Sequence, residues 1–136
     1  MFTTPKFQFP GNLRSPANYD GAFQSGLLRS GDTILDKVDV WGTRYNVGHL
    51  IVTEVVCQDI LVVGVVESIV VRANTVMFLV TLHDCARDAF NIFQSCPKNM
   101  VKLVPYSVLA DYKPLIKRGQ GKSFSFLLHH YLPVML

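Results

Sequence analysis

Cysteine is scarce in this chain and poorly placed for a structural role. Cys57, Cys85 and Cys96 form an odd set without tight spacing, so the chain has neither a disulfide framework nor a compact zinc knuckle. Unstapled thiols of this kind suit a reducing compartment, and the expected location is intracellular, in nucleus or cytoplasm. Long hydrophobic runs are also missing. The longest uncharged apolar run near the centre, Ile60 to Val66, is far shorter than the ~20 residues of a membrane helix, and Glu54, Asp59, Glu67 and Arg72 interrupt its surroundings. No charged segment leading into an apolar one opens the chain, so neither a secretory signal nor a membrane partner is expected. Charged residues are only 17% of the total and hydrophobic ones 49%, which argues against wholesale disorder. No internal repeat or low-complexity tract is present. With 136 residues, the chain has the size of one domain with an adequate core.

The dominant feature is the β-branched stretch from Val47 to Leu82, cut by Cys57-Gln58-Asp59 and Arg72-Ala73-Asn74. Valine and isoleucine at this density favour strands, because a branched Cβ is restricted in a helix but packs well on a pleated sheet. Turn chemistry divides the chain into a first strand over Thr33–Asp36, a short piece near Asp39–Trp41 and a polar connection over Gly42–Asn46. A strand follows from Gly48 to Val56, then a long one from Ile60 to Val71. Ala73-Asn74 makes a hairpin, since Asn tolerates positive φ, and Val76–Leu82 returns with Phe78 and Val80 on one face and Met77 and Leu79 on the other. Gly64 inside an apolar strand marks a bulge or sharp bend, of the kind that would roll the mid-chain valines and isoleucines around the inside of a sheet.

Beyond His83 the pattern is weaker. Ala86–Phe93 fits either a helical turn or another strand. Val101–Val104 reads as a short strand ended by Pro105, Tyr106–Ala110 as a helical turn, and Arg118–Gly121 as a loop before a closing strand from Ser123. The fold expected is all-β with minor helical turns, a compact antiparallel β-barrel of SH3-like or related type. It spans residues 31–136 and follows a loosely ordered arm over residues 1–30, whose isolated aromatics lack any regular period.

Charge is uneven. Residues 1–85 carry six Lys/Arg against eight Asp/Glu, and residues 86–136 carry seven against two. The basic half holds a loop with aromatic flanks, Tyr112, Lys113, Lys117, Arg118, Lys122 and Phe124, a composition suited to phosphate contact and base stacking. A solvated hairpin has the same composition.

Catalytic and metal motifs are incomplete. Gly121-Lys122-Ser123 resembles the end of a phosphate-binding loop, but Ile116 stands where that motif needs glycine, and a strand-like alternation follows instead of a helix. His83, Cys85 and Cys96, with His129 or His130, supply zinc-ligand types without zinc-site spacing. Cys85 with His83, or Ser125 with His129, lacks the third group that orients a nucleophile and its base. No catalytic residue, metal, cofactor or small-molecule substrate is therefore expected.

Gly31-Asp32 through Asp36-Lys37, Val63-Gly64-Val65-Val66, Asp111-Tyr112-Lys113-Pro114-Leu115 and Leu128-His129-His130 resemble uncharacterised β-rich sequences of animal proteins, some of mobile-element origin. The likeness spans residues 30–132. It implies a binding or assembly role and carries over no functional residue. The expectation is a non-enzymatic binding module that meets nucleic acid or an acidic protein through the basic hairpin. The alternative is self-association or protein contact through an uncovered strand edge or the N-terminal aromatics. A zinc-binding protein or a small hydrolase ranks below both.

Overall fold

The computed structural model describes residues 7–8, 27–119 and 123–128. Their elements, in chain order, are β1 (Phe7–Gln8), β2 (Thr33–Leu35), β3 (Lys37–Val40), β4 (Thr43–Asn46), β5 (Leu50–Cys57), β6 (Ile60–Arg72), β7 (Thr75–Arg87), β8 (Ile92–Pro105), a 3-10 turn (Tyr106–Val108), β9 (Asp111–Leu115) and β10 (Ser125–Leu127). The described residues contain no α-helix, and no helix long and apolar enough to cross a membrane. The all-β reading holds.

Three long antiparallel strands form the frame. In the main sheet the order is β10-β8-β7-β6-β5-β9, with β2 on the far part of the β6 edge that also carries β5. The sheet curls strongly into a half-barrel. Its two ends meet at one point: Arg118, just past β9, forms an antiparallel bridge with Ser125 of β10, with N–H to carbonyl bonds of 2.7 and 2.9 Å. A second sheet, β1-β3-β4, covers part of the first.

Hairpin chemistry explains the tight connections. Ala73 and Asn74 have φ of 49° and 61° between the paired residues Arg72 and Thr75, so the expected hairpin forms with both central residues left-handed, as the strand twist requires. Trp41 and Gly42 repeat this geometry between Val40 and Thr43, with φ of 53° and 81°. Residues 43–46 are therefore a strand, although Gly42–Asn46 reads as a polar connection. Only Tyr45 of the four is buried, and one inward side chain leaves no visible alternation.

The long strands also exceed their expected bounds. Residues 86–93 split between the end of β7, a loop and the start of β8, with no helical turn. Val101–Val104 is the last part of a 14-residue strand. Gln94, Cys96 and Lys98 in that strand are exposed, which hides it from a search for apolar alternation.

Burial divides by strand parity. Val62, Val66, Ile69 and Val71 of β6, with Phe78, Val80 and Leu82 of β7, pack on Val38, Val40 and Tyr45 of the small sheet. Leu61, Val63 and Val65 face the other way, into the curled sheet with Cys85, Phe93, Leu115, Phe124 and Phe126. The mid-chain aliphatics therefore supply two cores on opposite faces instead of one lining. Met77 and Leu79 join a third cluster with Leu28, Ile34 and Val70, opposite to Phe78 and Val80. Within the expected N-terminal arm, β1 pairs with β3 and Leu28 is buried.

The ladder shift lies at Glu67, between the pairs Val66–Val80 and Ser68–Leu79, and not at Gly64. Gly64 stays in register opposite Leu82. Its role is to leave room for a neighbouring side chain.

Candidate binding surface

The 3-10 turn delivers the chain from β8 to β9 and buries Leu109 in the core shared with the small sheet. Ala110 then donates its N–H to the Val52 carbonyl at 3.0 Å, and β9 pairs with β5. That pairing is irregular: Leu50 faces Leu115 and Val52 faces Asp111, so the short β9 segment bulges. Pro114, which has no N–H to offer a ladder, sits in the bulged stretch, where proline is tolerated. Asp111 is buried and its Oδ1 accepts the Lys113 N–H at 3.3 Å.

An aromatic chain links the core to the start of β9. Tyr45 is fully buried 5.1 Å from Phe78, and its hydroxyl donates to the Tyr112 carbonyl. Tyr106 meets Tyr45 edge-on, with centroids 6.1 Å apart at 84°. Tyr112 stacks on Tyr106 at 4.8 Å and 28° and remains 46% exposed. Burial raises the Tyr45 hydroxyl well above the ordinary phenol range, so it remains a donor.

Of the six expected binding residues five are described, and the buried Phe124 does not share a surface with the other four. Tyr112 and Lys113 are exposed at the start of β9, beside Tyr106. Lys117 and the exposed Arg118 lie past its end. Phe124 is 5% exposed and packs against the His83 ring, 4.6 Å centroid to centroid at 62°, so it is a core residue with no free face for a base. Lys122 lies outside the described residues. Phe126, two residues on, is fully buried on the same face as Phe124, and this alternation was the available clue to the burial of Phe124.

Four of the described basic residues are ion-paired. Arg44 bonds Asp39 at 2.6 Å, Arg72 bonds Asp32 at 2.7 Å, Arg87 lies 3.7 Å from Asp59 and Lys98 lies 3.4 Å from Asp84. Among the described residues no carboxylate lies within ion-pair distance of Lys113, Lys117 or Arg118. Their charge is left for solvent or for a partner.

Sequence reasoning did not find the surroundings of His83. It is 5% exposed on the inner face of β7, and its Nδ1 has no hydrogen-bond partner. Burial, then the charge of Lys117, hold its pKa below the ordinary imidazole range, against a smaller opposing effect of Glu67. Cys85 shares this face, and burial pushes its thiol up to about 12. Cys96 is exposed and paired with Asp84 across the ladder, so strand alternation places it on the opposite face. Zinc ligation by His83, Cys85 and Cys96 together is therefore ruled out in this fold. No group of three His, Cys, Asp or Glu among the described residues is arranged for a metal; His129 and His130 lie outside them.

One strand edge is open. Beyond Ser95, β8 has a strand neighbour only on its β7 side among the described residues, and Met100 and Val101 there are each about half exposed. Pro97, Pro105, Lys98, Lys102 and a register shift between Leu82 and His83 punctuate this edge, features that discourage indiscriminate strand pairing. The chain matches no protein-family model, no curated protein and no solved structure.

Proposed function

We propose that the protein is a non-catalytic binding module that engages a polyanion, nucleic acid or an acidic protein segment, along β9 and the turn after it. The observation that carries this reading is that Lys113, Lys117 and Arg118 fall within six residues of chain and none has a carboxylate within ion-pair distance; among the described residues Arg29, Lys37 and Lys102 lack one too, but they lie apart from one another in the fold. Uncompensated cations on the same short segment as a half-exposed tyrosine suit phosphate or carboxylate contact with added stacking on the ring. The curled sheet holds them on a rigid scaffold, as binding loops commonly are.

The test is fluorescence anisotropy with two labelled probes, a single-stranded oligonucleotide and an oligo-glutamate peptide, over a series of salt concentrations. Affinity for at least one probe should fall steeply with salt. For the oligonucleotide, reversing all three charges to Glu should lower the log–log slope by about 2, near 0.7 per phosphate contact. Lys37→Glu, on β3, should leave the slope unchanged. Salt-independent binding, or equal loss from both variants, removes this function.

A second reading, self-association through the outer edge of β8, is favoured by the exposure of Met100 and Val101 on a strand edge with no neighbour among the described residues. Light scattering across a concentration series distinguishes it. A monomer at all concentrations leaves only the polyanion reading.

A further inference from the structure

The strand that bridges the two ends of the curled sheet is short, and its one fully buried side chain, Phe126, stacks on Phe93 at 5.1 Å. β10 has three residues, joined to β8 at Gln94, Phe93 and Ile92 and, among the described residues, to the β9 side through Arg118 alone. Phe124 precedes it, donating its N–H to Ser95 Oγ at 2.7 Å and accepting the Ser95 N–H at 2.9 Å. The Phe124 ring seats on His83, whose Nδ1 has no acceptor or donor nearby.

We propose that His83 and Phe124 form an acid-sensitive latch on the closing strand. With His83 neutral, Phe124 seats and β10 bridges β8 to Arg118; with His83 protonated, that seat is lost and the segment bearing Lys117 and Arg118 comes free. Protonation gives both ring nitrogens an N–H to satisfy, and the buried Nδ1 has no acceptor. It also adds a charge to a ring that is 5% exposed, which burial disfavours.

The surrounding groups act in opposite directions. Lys117, after β9, repels a charged imidazole, whereas Glu67, at the β6 shift, attracts it. Glu67 Oε1 also accepts the Thr81 hydroxyl at 3.0 Å. The cross-strand neighbours of His83 are Val63 on β6 and Pro97 on β8, neither of which can compensate a charge. Cys85, on the same strand, directs its thiol to the His83 carbonyl, 3.9 Å away. Asp84 pairs with Lys98 on the other face. A buried, unpartnered histidine against a three-residue closing strand can therefore couple protonation to local opening. The consequence for binding rests on the proposed role of Lys117 and Arg118; the latch is read without a partner, so either can fail alone.

The experiment is an NMR titration of the full chain from pH 8 to 5, following the His83 ring and the amides of Ser95, Arg118, Phe124 and Ser125. These amides should lose their bonded shifts with the same midpoint as His83, below the ordinary histidine value. Lys117→Met should raise that midpoint and Glu67→Gln should lower it. His83→Phe should keep the amides bonded across the range; if that variant does not fold, the two charge variants decide alone. The latch is overturned if His83 titrates while the amides stay bonded, if its midpoint ignores both charge variants, or if it fails to titrate before global unfolding.

Discussion

Val80 fills the volume that a side chain on Gly64 would need: a Cβ built on Gly64 lies 2.7 Å from the Val80 Cβ and 2.9 and 3.0 Å from its methyl carbons. Gly64 faces Leu82 on β7 and Val66 faces Val80, so the contact is a diagonal one, far closer than such neighbours normally come. The strong curl of the sheet is consistent with this diagonal approach. Gly64→Ala should destabilise the protein by about 1–3 kcal/mol through overpacking, measured as a lower urea midpoint. Val80→Ala added to Gly64→Ala should cost less than the two single changes together. An unchanged midpoint for Gly64→Ala would show that the sheet absorbs the methyl group freely.

Tyr45→Phe tests the link between the small sheet and β9. The substitution keeps the ring against Phe78 and Tyr106 and removes only the hydroxyl that bonds the Tyr112 carbonyl. A part-buried carbonyl left without this donor should cost about 1 kcal/mol, read from denaturant unfolding. Amide exchange should also rise around Tyr112. Exchange that rises uniformly over the whole chain would contradict a local link.

Asp32 and Arg72 give a pH dependence with a defined sign. Arg72 donates Nε to Asp32 Oδ1 at 2.8 Å and Nη2 to Oδ2 at 2.7 Å, and also bonds the Leu27 carbonyl. This pairing, opposed by burial and aided by the Arg29 N–H, holds the Asp32 carboxyl below the usual carboxylate range. The folded state therefore binds fewer protons than the unfolded one in the acid range. The stability this contributes is fully present above the unfolded value of 3.8 and is lost as pH falls through the folded value. Asp32→Asn should cost roughly 1–3 kcal/mol at neutral pH and flatten the stability curve at acid pH. Parallel acid limbs for the two proteins would refute the assignment.

The thiols should divide two to one. Cys57 and Cys96 are exposed and Cys85 is buried, its thiol pushed up to about 12. Titration with a thiol-reactive dye at pH 8 should label two groups at once and the third only in denaturant. Rapid labelling of all three would mean that the interior around Cys85 opens readily.

The strand class of Val47–Leu82 was legible because β-branched residues and turn dipeptides act locally. The Ala73-Asn74 hairpin and the opposite orientations of Phe78 and Met77 follow from the same local rules. β4 and the first half of β8 were not legible, since each shows too few inward apolar residues to set a period. A glycine inside an apolar strand is legible as a special position, but the bulge expected at Gly64 is not there. What makes the position special, the approach of Val80 from the adjacent strand, is a contact between residues sixteen apart.

What the sequence determined by itself is the all-β class, since backbone preference and side-chain alternation operate over a few residues. Only the tertiary structure decided what each face meets. Alternation shows that Phe124 and Phe126 share a side of their strand, but ring closure at Arg118–Ser125 puts that side inside, against His83. In the same way Lys113, Lys117 and Arg118 are equivalent cations in the chain, and their lack of carboxylates depends on where folding placed Asp32, Asp39, Asp59 and Asp84. Coverage and charge pairing are properties of distant segments brought together, and no local pattern encodes them.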